Sequence, residues 1–329
     1  MFGNVQGWVI SVILAAGLWA AAIGLYRLGA ISEPTALGRD PENLAAVALP
    51  VAPEAIQVSD SSCDAGDLYR QAADNYDANQ SACDTFFQAI GKSAGDPSPP
   101  APIALILKGA ACKSLALFSP SPKELVNYDN RLPVLDALGH LGEDTVSAGM
   151  AYKSRLKNDP SEEAKHDREM AMQYFQAAFA LGQKLYHERV TFDEYSAGVG
   201  AMASAAEEMA AITSDPARAE QLKAFDEGRM KYEEDHVKPI WRVLAGNSQE
   251  VIEQNAGDVF VFARDSRERM FRVQAVLMLG RMRYNAGRAG DQQAANVWVQ
   301  RLQNDPDPAV QAAAKAAAAL TLEDYRKLH

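Results

Sequence analysis

Charge is missing from the first 26 residues of this 329-residue chain; the earliest Asp, Glu, Lys or Arg is Arg27. Cysteine is scarce. Cys63, Cys83 and Cys112 are an odd set, too few for a disulfide framework and without zinc-site spacing. Dense Lys/Arg runs are absent and the net charge is −11, a balance that repels phosphate backbones and excludes nucleic acid as a partner. Alternating apolar and polar residues, the mark of a half-buried strand, are almost absent. Val259-Phe-Val-Phe262 is the single short candidate, and its neighbours read as helix. His-Glu-x-x-His, Cys-x-x-Cys and Gly-x-Ser-x-Gly patterns are missing, and the glycines at 139 and 142 and at 198 and 200 lack the Lys-Ser/Thr of a phosphate loop. No catalytic, cofactor-binding or metal-ligating residue is nominated, and the expectation is a protein that is not an enzyme.

What is present begins with an uncharged apolar run from Trp8 to Tyr26, which as a helix spans about 30 Å, the thickness of bilayer hydrocarbon. A cleavable signal peptide is the rival, with Ala20-Ala21-Ala22 as its cleavage site. The run lacks a basic segment before it and is long for such a peptide, so an uncleaved single-pass anchor is expected over residues 1–31. Ala16, Ala20 and Gly24 share one face, a spacing that lets helices approach but that an alanine-rich chain also produces by chance. Arg27 and Arg39 follow the span, which by a literal charge count keeps the body in the cytoplasm. A long folded domain crosses regardless of such small differences, and an extracytoplasmic body is the expectation.

Residues 32–61 carry Pro34, Pro41, Pro50 and Pro53 among many alanines and read as a stiff linker that holds the body off the membrane. Beyond it, 48% hydrophobic and 23% charged residues are enough to bury a core. Gly95-Asp-Pro-Ser-Pro-Pro-Ala-Pro102 and Ser119-Pro-Ser-Pro122 punctuate helical segments, and Leu68, Ala72, Cys83, Phe86, Phe87 and Ile90 fit a helical face. Asp159-Pro160 and Asp215-Pro216 each have the form of an N-cap followed by proline at the first helical position. The soluble part is predicted all-α. If the compartment is oxidising, a bridge involving Cys112 is favoured over Cys63 to Cys83, since twenty helical residues would hold that pair about 30 Å apart. Buried free thiols are the alternative.

Two stretches resemble repeats. Ala178–Ile212, with Leu181-Gly182, Leu185-Tyr186 and Phe192-Asp-Glu194, resembles a tetratricopeptide helix pair, although the turn carries an extra residue and Tyr195 stands where that motif prefers Ala. Phe262–Gly280 and Leu302–Leu320 share a layout in which an Asp-containing break is followed by Val-Gln-Ala and a small-residue apolar helix. The triplets at Val273 and Val310 are 37 residues apart, which resembles the HEAT-type period. The first copy lacks the prolines of Asp305-Pro-Asp-Pro308. The resemblance implies stacked antiparallel helix pairs, with a TPR-like domain over 62–247 and HEAT-like repeats over 248–329. Val273, Leu277, Leu279, Val310 and Leu320 are expected inside and Lys315 outside.

His140, His166, His187, His236 and His329 are scattered, and Glu233-Glu-Asp-His236 is expected to be a solvated helix end rather than a cation site. Cys83 and Cys112 have no flanks that would lower a thiol pKa, and they read as structural. Stacked helix pairs suit protein recognition, so a membrane-anchored scaffold or adaptor that binds a partner protein is expected. The alternative is an enzyme whose active-site residues are dispersed over several helices. A deep recess rimmed by ionisable groups would favour the enzyme; a broad apolar groove would favour the adaptor.

Overall fold

The computed structural model of the chain describes residues 45–46, 48–53, 60–92, 95–115, 117, 133–156, 161–244 and 255–327. The anchor at 8–26, most of the linker, Ser119-Pro-Ser-Pro122, Asp159-Pro160 and His329 lie outside them. Among the described residues no helix is long and apolar enough to cross a membrane.

Strand β1 (Asp60–Asp64) leads into helices α1 (Ala65–Asp74), α2 (Tyr76–Lys92) and α3 (Ala101–Ala110), and strand β2 (Cys112–Ser114) follows. Then come α4 (Pro133–Arg155), α5 (Glu162–Glu188), α6 (Phe192–Ile212) and α7 (Pro216–Tyr232), a π-helical turn (Glu233–Val237), and α8 (Lys238–Leu244). The chain continues through α9 (Ala256–Asp265), α10 (Arg269–Asn285), α11 (Ala289–Leu302), α12 (Pro308–Ala319) and α13 (Leu322–Lys327). The body is thus mostly helical, with successive helices stacked in pairs, as predicted. Val259–Phe262 lies inside α9, capped by Asn255, whose Oδ1 accepts from the Gly257 N–H at 2.7 Å.

The β1–β2 ladder was not anticipated. These strands run parallel, and Cys63 and Cys112 are disulfide-bonded across them with Cα atoms 5.0 Å apart. Asp-Ser-Ser-Cys-Asp carries no β signal, so tertiary pairing overrides propensity there. Closing a loop with a sequence separation of 49 contributes about 4 kcal/mol in the chain-entropy account. Cys83 stays free and buried on α2.

Local caps follow the expected chemistry with one shift. Asp215 caps α7, its Oδ1 accepting from the Ala217 N–H at 2.9 Å with Pro216 at the first position. Helix α5 is capped by Ser161, not Asp159: Ser161 Oγ accepts from Ala164 N–H at 3.2 Å, and Glu162 and Glu163 suit the positive end of the dipole.

Two helices are buried on nearly every side. From Ala177 to Tyr186 each residue of α5 is buried, enclosed by α3, α4 and α6. From Val273 to Gly280 the same holds for α10, enclosed by α8, α9, α11 and α12. Such burial puts each helix at a core centre, and the polar residues caught in it are bonded: Gln183 to the Pro53 carbonyl, Lys184 to that of Ala110 and Gln274 to that of Leu244. Helices α5 and α6 cross where Gly182 meets Gly198; a Cβ on Gly182 would stand 2.5 Å from the Gly198 carbonyl oxygen. Helices α10 and α12 cross where Gly280 meets Ala317, and there a Cβ would stand 2.7 Å from the Ala317 methyl. Val273, Leu277, Leu279, Val310 and Leu320 are buried and Lys315 is exposed, as the repeat layout predicts. Helix α5 is 27 residues long and α6 is 21, so this pair is longer than the 34-residue tetratricopeptide unit expected from the sequence.

The described residues form one compact unit. The stretch expected to be a free linker is, where described, a strap against the body. Ala45, Leu49 and Ala52 are buried. Gln183 Nε2 donates to the Pro53 carbonyl at 2.7 Å, and Tyr186 Oη donates to that of Pro50 at 2.6 Å. Two prolines in the strap stop it from becoming a strand or helix, and their carbonyls remain as acceptors for side chains of α5.

Candidate functional site

The strap makes one wall of a trough of about 640 Å³. Pro50, Val51 and Pro53 face Arg218, Gln221, Ala224, Phe225 and Gly228 of α7. Positions 221, 224 and 228 follow helical spacing on one face, where Ala224 and Gly228 leave the floor open beside the longer Gln221. Val51 stands over it 88% exposed, the most exposed large apolar side chain among the described residues.

Below the strap lies a polar junction where the carboxyl end of α5 meets the amino end of α10. Arg189, the C-cap of α5, has φ of +23°, a left-handed conformation that costs a non-glycine residue about 1–3 kcal/mol. Its contacts hold it there. Nε donates to Glu268 Oε2 at 2.8 Å, Nη1 donates to the Tyr186 carbonyl at 2.6 Å, and the guanidinium lies over the Tyr186 ring at 5.2 Å. Glu268, the buried N-cap of α10, uses its other oxygen to accept from Leu49 N–H at 3.1 Å, and Arg267 N–H donates to the Ala45 carbonyl at 3.0 Å. One carboxylate thereby ties the strap, α5 and α10 together. An arginine at a helix carboxyl end and a glutamate at an amino end both suit the helix dipoles.

Beside the junction a recess of about 250 Å³ is lined by His187, Glu188, Arg189, Ser266, Arg267, Glu268, Arg269, Arg272 and Asp307. Its charges are largely matched: Arg269 Nε lies 3.0 Å from Asp307 Oδ2, and Arg272 Nη2 lies 2.5 Å from Asp305 Oδ2. The Arg269 bond and backbone donors hold Asp307 below the usual carboxylate range although burial opposes them. His187 is pushed down by burial and by neighbouring Arg189 and Lys184. Next to the recess Glu194 is fully buried; burial, then adjacent Glu188, raises its carboxyl to about 8, so the pair holds a proton at neutral pH. Glu194 Oε2 accepts from Val190 N–H at 2.5 Å, and Glu188 Oε2 from Leu117 N–H at 3.3 Å.

A third hollow, about 350 Å³, lies between α4 and α6 and carries Asp136, His140, Glu143 and Asp193. Among the described residues no group of His, Cys, Asp and Glu is placed to hold a metal ion.

The residues singled out in the sequence are dispersed. His140 stacks on Tyr76 at 6.1 Å and His166 Nε2 lies 2.7 Å from Asp96 Oδ2. His236 sits in the π turn against Tyr232, while Glu233 pairs with Arg229 and Glu234 with Lys238, so these carboxylates are drawn to separate cations. Gly142 and Gly198 serve helix packing, against Ala201 and Gly182. Burial, then Asp144, pushes the Cys83 thiol up to about 11, away from the thiolate a nucleophile needs. Arg189, Glu268, Ser266 and the strap were not foreseen. The Leu49–Glu268 contact spans 219 residues and Arg189–Glu268 spans 79, separations that leave no periodic trace.

No family model, curated protein or solved structure matches this chain.

Proposed function

We propose that this protein is a membrane-anchored helical-repeat scaffold: residues 8–26 hold it in a bilayer, and its body, on the extracytoplasmic side, binds a partner protein. In this reading α5 and α6 are a lengthened TPR-like pair and α9 to α12 are two HEAT-like units. The trough between the strap and α7 is the contact surface. Val51 carries the proposal, since a large apolar side chain 88% exposed on a strap otherwise tied down is surface kept for an occupant. The occupant is an apolar stretch of the partner, because Pro50, Val51, Pro53, Ala224, Phe225 and Gly228 line the trough. The Cys63–Cys112 bridge supports the extracytoplasmic side, as such bonds persist in oxidising compartments.

The test is isolation of the full chain from native membranes in mild detergent. A stoichiometric companion protein should accompany the wild type and the Lys315→Glu variant and be lost from Val51→Asp and Ala224→Glu. A companion held equally by all four, or none at all, would overturn the reading.

A further inference from the structure

We infer that the recess at the amino end of α10 is an oxyanion site, shaped for phosphate or the phosphoryl group of a small molecule. This site is separate from the trough, and neither proposal depends on the other.

Helix α10 is 17 residues long, and its N-cap Glu268 makes no side-chain bond to the first turn. Glu268 is committed instead to Leu49 and Arg189. The first-turn N–H groups of the helix are therefore left without a side-chain cap, and with the Glu268 charge balanced by Arg189 this end can receive an anion. The second observation is Ser266. It lines the recess, it is only 5% exposed, and its Oγ has no hydrogen-bond partner. Buried hydroxyls are almost always bonded, so an orphan in the turn between α9, which Ser266 ends, and α10 points to an absent acceptor. An oxyanion supplies that acceptor and takes the Ser266 proton as a hydrogen bond.

The arginines set the charge. Arg189, Arg269 and Arg272 are balanced by Glu268, Asp307 and Asp305. Arg267 lines the same recess and makes no ion pair among the described residues; its backbone is fixed by the bond to Ala45. Glu188 also lines the recess, and its carboxylate is engaged with Leu117 N–H and with Glu194. The anion thus meets one uncommitted guanidinium, a hydroxyl and uncapped helix N–H donors in a recess of about 250 Å³, room for a tetrahedral oxyanion.

The experiment is titration of the full chain in detergent with inorganic phosphate at constant ionic strength, followed by phosphorus NMR line broadening and calorimetry. Saturable binding of one phosphate per chain is expected, displaced by sulfate and not by chloride. Ser266→Ala and Arg267→Gln should each weaken it about tenfold, the effect of one hydrogen bond to a charged group, while Arg301→Gln, exposed on α11, should not. Arg267 is exposed, so its variant keeps the fold and serves if Ser266→Ala disturbs it. Glycerol phosphate in a parallel arm separates the sources: binding equal to that of phosphate assigns the site to a phosphoryl group on a small molecule, and binding of phosphate alone assigns it to the free anion. Absence of saturable binding, or equal affinity in all variants, would overturn the inference.

Discussion

Helices α5 and α10 are both enclosed on nearly every side, yet they are enclosed by different means. Around α5 the approach is backbone to backbone, at Gly182 and Gly198, and a disulfide ties β1, which enters α1, to β2, which follows α3. Around α10 it is methyl to glycine, at Ala317 and Gly280, in a setting of alanines contributed by α12. The difference teaches where tolerance lies. Neither contact can yield without moving a helix, since an alanine Cβ is fixed to its backbone; the α5 contact is the tighter, with two backbone polar atoms under 3.0 Å from a Cβ on Gly182 against one methyl for Gly280.

The comparison first fixes what the two helices share. Leu181 and Leu277 are both buried, so changing either to Ala should cost about 2–5 kcal/mol, whereas Lys315→Ala should cost under about 0.5 kcal/mol. Thermal and urea melts of the three variants check this. A negligible shift for Leu277→Ala would mean the faces of α10 are misassigned.

Glycine substitutions sharpen the contrast. In Gly182→Ala the new Cβ meets the Gly198 carbonyl at 2.5 Å and the Met202 nitrogen at 2.7 Å, both backbone atoms. A loss of about 3 kcal/mol is expected, against about 2 kcal/mol for Gly280→Ala, where only the Ala317 methyl comes under 3.0 Å. Equal losses in denaturant melts would erase the distinction.

A smaller effect follows from Glu194, in the first turn of α6. Its native pKa is raised above the unfolded value, so the stability from its bound proton is complete in acid and lost as pH rises from the ordinary carboxylate range through about 8. Glu194→Gln keeps a neutral side chain at every pH. Its melting temperature should therefore exceed that of the wild type more at pH 8.5 than at pH 5.5, and a constant difference would mean that Glu194 titrates normally.

Much of this architecture was legible in the sequence. The spacing of Val273, Leu277 and Val310 revealed the C-terminal pairs, because helical periodicity writes burial directly into the chain. The disfavoured Cys63–Cys83 pairing also followed from helical rise, and the bonded pair includes Cys112. The strap was hidden for a physical reason. Pro50 and Pro53 signal only that no helix or strand forms, and they carry no information on whether α5 will donate to their carbonyls. The junction was hidden too, since Glu268 and Arg189 look like ordinary surface charges until the ends of α5 and α10 meet. Ser266 is one serine among many in sequence, and it stands out only through burial without a partner.

The central claim is that Glu268 joins both buried helices to the strap, and the most direct measurement is amide hydrogen exchange at Leu49 in the full chain. In the wild type that amide, bonded to a buried carboxylate, should exchange slowly. In Glu268→Ala it should approach the rate of an unstructured peptide, while Asp307→Ala, which uncaps α12 and releases Arg269 but removes no contact of Glu268 or Leu49, should leave it unchanged. Fast exchange at Leu49 in the wild type, or protection undiminished in Glu268→Ala, would contradict the account.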